Sequence, residues 1–296
     1  MSKRLRGWSP AKVNLVLEVL GCRSDGYHEI DTVLQTLELA GTVDIELDAT
    51  DPGVFITGPF AAGAPADETN LAWRAAVALA QRTGNRADSL RITLDKRVPP
   101  AGGLGGGASD AATVLRLLQP LWGGSGPWGA SEEDLVASAN AIGSDEAFFL
   151  VGGCARARGR GETVERLAPL PRRGVVLFVS HESIERKTAR MFQALSSLPF
   201  DSGSVARGFA TRPPPRFSGL DVYNSFERVA FDLFPFLADL WQGLEARTAA
   251  PIRLAGAGPT LFWIGDPAEV AKVAGAAEGL PCTVIETATA ASMWRR

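Results

Sequence analysis

Histidine is nearly missing from this chain of 296 residues. His28 and His181 are the only two, which excludes a multi-histidine metal centre. Cysteine is scarce as well. Cys22, Cys154 and Cys282 are odd in number and far apart, with no CxxC pair or Cys/His cluster. Neither a disulfide framework nor a zinc site is expected, and the three read as reduced, mostly buried thiols. There is no excess of positive charge: the formal net charge is −3, whereas a protein held to nucleic acid by bulk charge needs the opposite sign. No apolar run continues beyond about ten residues before a charge or a glycine breaks it, too short to cross a bilayer. The basic start, residues 1–8, is not followed by the apolar stretch of a secretion signal, so a cytoplasmic protein is expected. The pattern GxxxxGK[ST] does not occur, which removes a P-loop nucleotide site. No repeat at solenoid periods is present.

The length suits about two domains, with ample apolar content for a core. Alternating and β-branched residues predict strands at 12–20, 32–39 and 42–47, with a turn at 24–28 between the first two. A helix is expected at 69–81, where Asp67, Thr69 and Asn70 supply capping side chains. A strand at 90–94 precedes a glycine-rich stretch, and helices follow at 111–118 and 132–142, separated by a Gly- and Trp-rich loop at 121–131. Further on, strands are read at 175–180, 252–254, 261–264 and 283–285, helices at 226–248 and 268–278, and a mobile Pro-bearing linker at 202–217. Strands in runs mixed with helices predict an α+β fold with antiparallel pairing. The change to basic, Gly- and Pro-bearing sequence at 155–170 suggests one domain over 1–160 and a second over 161–296.

Residues 102–107 hold five glycines and Leu104. Without Cβ atoms, successive backbone N–H groups can converge on an anion, and a helix starting just after adds its unpaired donors and dipole. Such a stretch makes a phosphate cradle, with the Ser109 hydroxyl beside it; the alternative is a flexible turn with no ligand. A Rossmann GxGxxA can be traced through Gly103, Gly105 and Ala108. Against it stand Pro99 and Pro100 just before the loop and the absence of a βαβ unit with its acidic residue.

Three segments, in this order, resemble the three motifs of the GHMP kinase superfamily: Pro10-Ala11-Lys12-Val13-Asn14-Leu15, the loop from Pro99 to Ala112, and Leu254-Ala255-Gly256-Ala257-Gly258-Pro259-Thr260. The stretch from Arg23 to Thr32, the loop GGLGGGASDAA and Gly143-Ser144-Asp145-Glu146-Ala147-Phe148-Phe149 are similar to the branch of that family that phosphorylates a cytidine diphosphate-linked methylerythritol. The resemblance implies a two-domain α+β fold, one half like ribosomal protein S5 domain 2 and the other ferredoxin-like, with the active site in the cleft between them. It implies ATP with Mg2+, a small-molecule acceptor, no nucleic acid or membrane partner, and a monomer or weak homodimer.

By the same resemblance Asp145 would take or orient the acceptor proton, and Lys12 would stabilise charge on the acceptor oxygen and γ-phosphate. Pro99, Ala101, Gly102, Gly103, Leu104, Gly105, Gly106, Gly107, Ala108 and Ser109 would hold the triphosphate, with Asn70 and Lys96 on the adenine side. Asn14, Gly256 and Gly258 would line the acceptor, and Tyr27 and His28 its cytosine. Asn224-Ser225-Phe226-Glu227 resembles a family segment at a helix start near the cleft. Each position also has a plainer reading: solvated strand lysines for Lys12 and Lys96, helix caps for Asp145, Asn70 and Glu227, a packed surface corner for Tyr27 and His28, and a tight turn for Gly256 and Gly258. Ala108 and Asp110 depart from the family pattern, where serine and asparagine are common; Asp110 would cap the helix or help hold Mg2+. The family's aromatic ring against the base is expected after the strand at 175. There the sequence reads Ser180-His181-Glu182-Ser183-Ile184-Glu185, and His181 is the candidate substitute. Other readings are a GHMP kinase for homoserine, mevalonate or a sugar, a non-catalytic relative, and an RNA-binding module using the basic run 156–173.

Overall fold

The computed structural model describes residues 4–122, 129–182, 184–214 and 217–293. Residues 1–3 of the basic start, part of the expected loop at 121–131, Ser183 of the 180–185 segment and Pro215 and Arg216 of the expected linker lie outside the described residues.

Two 19-residue strands, β1 (Arg4–Cys22) and β2 (His28–Glu46), form a long antiparallel hairpin. The strands expected at 32–39 and 42–47 are one strand. Gly41, which reads as a break, lies where a Cβ would overlap the Asp95 carbonyl oxygen, so it serves close backbone approach and not a turn. β2 changes partner midway. Its first half pairs with β5 (Cys154–Gly159) and its second half with β4 (Arg91–Asp95). β3 (Gly53–Thr57) and β6 (Thr163–Arg166) complete the outer edges, and the two-residue β8 (Tyr223–Asn224) joins β1 in parallel. The expected domain division at 160/161 falls inside the β5–β6 hairpin.

Four helices cover one face of this sheet: α1 (Leu71–Thr83), α2 (Gly106–Leu118), α3 (Glu132–Ile142) and α4 (Glu146–Val151). Their apolar stripes, such as Val114, Leu115 and Leu118 of α2, bury against Val43, Ile45, Ile92 and Leu94 of the strands. The other face meets a second, four-stranded antiparallel sheet, ordered β11 (Cys282–Ala288), β7 (Gly174–Ser180), β10 (Leu261–Gly265), β9 (Arg253–Leu254). β7 is apolar from Val175 to Val179 because both faces of its first five residues are buried. Val175 and Leu177 pack between the sheets, while Val176 and Phe178 face the outer helices. Those helices are α5 (Lys187–Leu195), α7 (Glu227–Leu233), α8 (Pro235–Thr248) and α9 (Val270–Ala276). The layers therefore run helices, sheet, sheet, helices.

Two expectations about this half change. The single helix at 226–248 is two, because Pro235 lacks an N–H and starts a new helix at its first position after Phe234 leaves helical geometry. The linker at 202–217 contains a helix, α6 (Ser204–Thr211), which buries Ala206 and Phe209. The buried Glu18 accepts from the Ala206 N–H at 2.8 Å, a carboxylate at a helix start. No described helix is long and apolar enough to cross a membrane.

Candidate active site

β1 carries the buried Lys12 and Asn14 where it is irregular. Its register against β2 shifts between Pro10 and Lys12 and again between Asn14 and Val16. Such bulges re-aim side chains and free backbone groups from the ladder. The Lys12 N–H donates not to β2 but to the Leu104 carbonyl, at 2.9 Å, so the strand clasps the glycine loop directly.

The loop itself alternates in hand: Ala101 (φ 53), Gly103 (φ 81) and Gly105 (φ 73) are all left-handed, the arrangement that turns successive N–H groups toward one point. The helix expected from 111 begins at Gly106, so Gly106, Gly107, Ala108 and Ser109 form its first turn. No side chain caps it, leaving its first amides to an anion. The Ser109 hydroxyl is buried and has no hydrogen-bond partner.

Lys12 is 3% exposed. Its Nζ donates to Asn14 Oδ1 at 2.7 Å and lies 3.4 Å from Asp145 Oδ2. Asn14 Nδ2 donates to Thr32 Oγ1 at 2.9 Å, and Thr32 donates to the Val16 carbonyl at 2.6 Å. This chain fixes the amide so that its oxygen faces the ammonium. Asp145 occupies the N-cap position of α4, yet its side chain makes no capping bond. It turns to Lys12 and stays 43% exposed at the side chain, open to an incoming hydroxyl.

Glu146, next along, is buried. Burial is the main cause, reinforced by the Asp145 charge, that pushes its carboxyl up to about 7 from an ordinary 4.5. A folded-state pKa above the unfolded one means that ionisation opposes folding. The cost is absent below pH 4.5 and complete above about pH 7. Glu146→Gln is therefore expected to raise the melting temperature more at pH 8 than at pH 5. Equal shifts in thermal melts at the two pH values would contradict this.

A second glycine turn, Ala255 to Gly258, closes over the same point. A Cβ on Gly256 would stand 3.5 Å from Lys12 Nζ, 3.3 Å from Asn14 Oδ1 and 3.2 Å from the Gly103 carbonyl oxygen. The turn is braced by the motif at 224–227. Asn224 Nδ2 donates to the Leu254 and Gly256 carbonyls at 2.9 and 2.8 Å, and Glu227 Oε1 accepts from the Leu254 N–H at 2.9 Å. Gly256 thus lies against Lys12 and Asn14, whereas a Cβ on Gly258 would meet Leu254 and Leu237.

Lys96 lies against the loop at Gly106, and Asn70 is at the start of α1. Asn70 caps α1, accepting from the Ala72 N–H and donating to the Pro65 carbonyl. Lys96 pairs with Asp110, both 5% exposed at the side chain. Asp110 therefore matches the charge of Lys96 under the first turn of α2.

At the far end of β1 the His28 ring stacks on Phe192 of α5, with centroids 4.3 Å apart. His28 Nε2 lies 3.1 Å from Ser196 Oγ, and burial lowers the histidine pKa. Tyr27 is half exposed, with the Arg160 guanidinium 5.1 Å over its ring. The aromatic ring that the structure brings to His28 beyond β7 is Phe192, ten residues later than 182. His181 instead lies 3.3 Å from Thr283 at the edge of the second sheet. The Phe192 ring projects from α5, beyond the 180–185 segment, and the helical periodicity of that stretch is the signal for it. Lys187 carries no motif that marks it in the sequence. It is buried, and its Nζ donates to the Ala101 carbonyl at 2.5 Å and to that of Gly258.

Residues 70–153 match the family described as GHMP kinases N terminal domain. The chain is 39% identical over 266 residues to the 4-diphosphocytidyl-2-C-methyl-D-erythritol kinase of Dehalococcoides mccartyi, covering 86% of this chain and 87% of that protein. A crystal structure of 4-(cytidine 5'-diphospho)-2C-methyl-D-erythritol kinase superposes with a TM-score of 0.74 at 32% identity, over 96% of this chain and 99% of the other. The homoserine kinase of Cytophaga hutchinsonii superposes at 0.66 with 16% identity, over 99% and 96%, a likeness of fold alone.

Proposed function

Because the chain belongs to the 4-diphosphocytidyl-2-C-methyl-D-erythritol kinase family of GHMP kinases, we propose that it moves the γ-phosphoryl group of ATP to the 2-hydroxyl of that diphosphocytidyl polyol, a step toward isoprenoid precursors. The observation that carries this reading is the 3.4 Å approach of Lys12 Nζ to Asp145 Oδ2, beneath two glycine turns that meet over it. The acceptor oxygen forms a bond to Pγ, the bond from Pγ to the β–γ bridging oxygen breaks, ADP leaves, and the hydroxyl proton passes toward Asp145. A carboxylate is a weak base, so its first contribution is to aim the hydroxyl in line with Pγ. Lys12 balances charge on the equatorial oxygens as they move.

Mg2+ belongs to the same reading. It keeps several waters and binds chiefly through phosphates with one or two protein oxygens. The orphaned Ser109 hydroxyl at the start of α2 fits such a place, and the ion would supply charge neutralisation on the β- and γ-phosphates.

Phe192, His28 and Tyr27 form the base end. A ring face suits a pyrimidine, and a neutral imidazole with Ser196 beside it offers a donor and an acceptor to the base edge. Phe192→Ala is expected to raise KM for the acceptor about tenfold, the worth of one base–ring stack, and to leave KM for ATP unchanged. Steady-state kinetics with each substrate varied in turn tests this; a change confined to ATP counts against it.

In this reading the N-terminal unit ends after β6, the protein is cytoplasmic, and it acts as a monomer or weak homodimer. An ATP-coupled assay with the diphosphocytidyl polyol, homoserine, mevalonate and sugars tests the acceptor. Faster turnover of any of the others overturns the assignment.

A further inference from the structure

Lys187 is in the wrong place for a helix and the right place for an anion. It is the first residue of α5, where the positive end of the dipole disfavours a cation. The residue before it, Arg186, is held left-handed at φ 49, a strain of about 1–2 kcal/mol for a residue with a side chain. The result is a buried lysine whose ammonium bridges both glycine turns, through Ala101 of the first and Gly258 of the second. Both acceptors are neutral carbonyls, and among the described residues no carboxylate pairs with it.

The charges of the site do not cancel. Lys96 is matched by Asp110, and Lys12 faces Asp145, which leaves Lys187 over. A buried charge with no counter-ion is costly, and folds keep one where a ligand supplies the opposite sign. Of the titratable groups, Lys12 on β1 is the one that acts on it; the two turns present only backbone carbonyls. Burial first, then repulsion by Lys12, lowers its pKa to about 8.

We propose that Lys187 is a second phosphate-binding cation of this site: with ATP bound, its ammonium leaves the Ala101 and Gly258 carbonyls for the terminal phosphate, opposite Lys12. The proposal rests on the kinase reading above. It makes α5, which carries Phe192 at the base end, report on the phosphate end as well.

The test is calorimetry of a non-hydrolysable ATP analogue and of ADP binding to wild-type enzyme, Lys187→Met and Lys187→Arg, in buffers of different ionisation enthalpy at pH 6 and pH 8. The triphosphate raises the Lys187 pKa, so wild-type enzyme is expected to take up more protons than Lys187→Met on binding the analogue at pH 8, and no more than it at pH 6. Lys187→Met should bind the analogue about tenfold to a hundredfold more weakly, the worth of a charge-assisted hydrogen bond, and ADP nearly as well as wild type. Lys187→Arg should restore affinity without the uptake, because arginine does not titrate. Should Lys187→Met fail to fold, the difference in uptake between wild type and Lys187→Arg decides alone. Equal affinity and equal uptake in all three overturn the proposal and leave a structural latch. The same changes seen with the acceptor's diphosphate, and not with the analogue, overturn the assignment to ATP. A wild-type enzyme that binds no triphosphate refutes the kinase reading itself.

Discussion

Asp145→Asn is expected to lower kcat by about three orders of magnitude, within the range for loss of a positioned acid–base group, and to leave ATP affinity within about twofold. The variant is nearly isosteric, and the carboxylate makes no capping bond; its one ion pair is to Lys12, which keeps its hydrogen bond to Asn14. Ser131 at the start of α3 shows what a structural cap looks like: its side chain accepts from the Asp134 N–H, and Asp134 reciprocates in a capping box. Asp145 holds the equivalent position on α4 and makes no such bond. Its charged partner is Lys12, and its other side is open. Removing the charge therefore takes away the acceptor for the hydroxyl proton and the counter-ion of Lys12, while the helix start is untouched. Pre-steady-state turnover, with fluorescence titration of a nucleotide analogue, separates chemistry from binding. A variant that turns over at the wild-type rate would show that the carboxylate neither aims nor receives the proton.

The parts of this site that were legible in the sequence are those defined by residue type at a fixed spacing. Glycines at 102–107 announce a backbone cradle because no other residue accepts the left-handed angles found at 103 and 105 without strain. Lys12 and Asp145 were legible only through the ordered set of motifs, since a lysine in a strand or an aspartate before a helix is ordinary by itself. What was not legible depends on distant packing. The start of α2 at Gly106 runs against the poor helix propensity of glycine, and tertiary contact overrides it: Gly106 packs on Val98 and lies over Lys96. The bulges that aim Lys12 and Asn14 leave no local signature, because they arise where β1 gives up β2 for the loop. Asn70 and Lys96 carried types suited to a nucleotide, but their partners, Pro65 and Asp110, are fixed by the fold. Lys187 sits 175 positions from Lys12 in the chain and meets it only once the second sheet packs on the first.

The loop seam leads to the second large effect. Gly103→Ala is expected to destabilise the protein by about 2–4 kcal/mol, the cost of forced overpacking plus left-handed strain, and to reduce kcat/KM by about a hundredfold through misplacement of the reacting groups. A Cβ at 103 would overlap the Ala255 carbonyl oxygen and stand 2.9 Å from its carbon, and the residue is held at φ 81. Neither side can give cheaply. Ala255 is tied to Thr260 through its N–H and to Gly258 through the same oxygen. Gly103 is followed by Leu104, whose carbonyl accepts from the Lys12 N–H. Any shift that relieves the overlap therefore pulls on Lys12 or opens the second turn. Gly107 provides the control. A Cβ there meets only the end of the Leu71 side chain, at 3.1 Å, and lies inside a helix where alanine is favoured over glycine by about 1 kcal/mol. Gly107→Ala should leave stability unchanged or raise it. Chemical denaturation of both variants, with activity measured on the folded fraction, discriminates between them. If Gly103→Ala is as stable and as active as wild type, the two turns do not touch in solution, and the closed geometry drawn for Lys12, Asn14 and Gly256 fails with them.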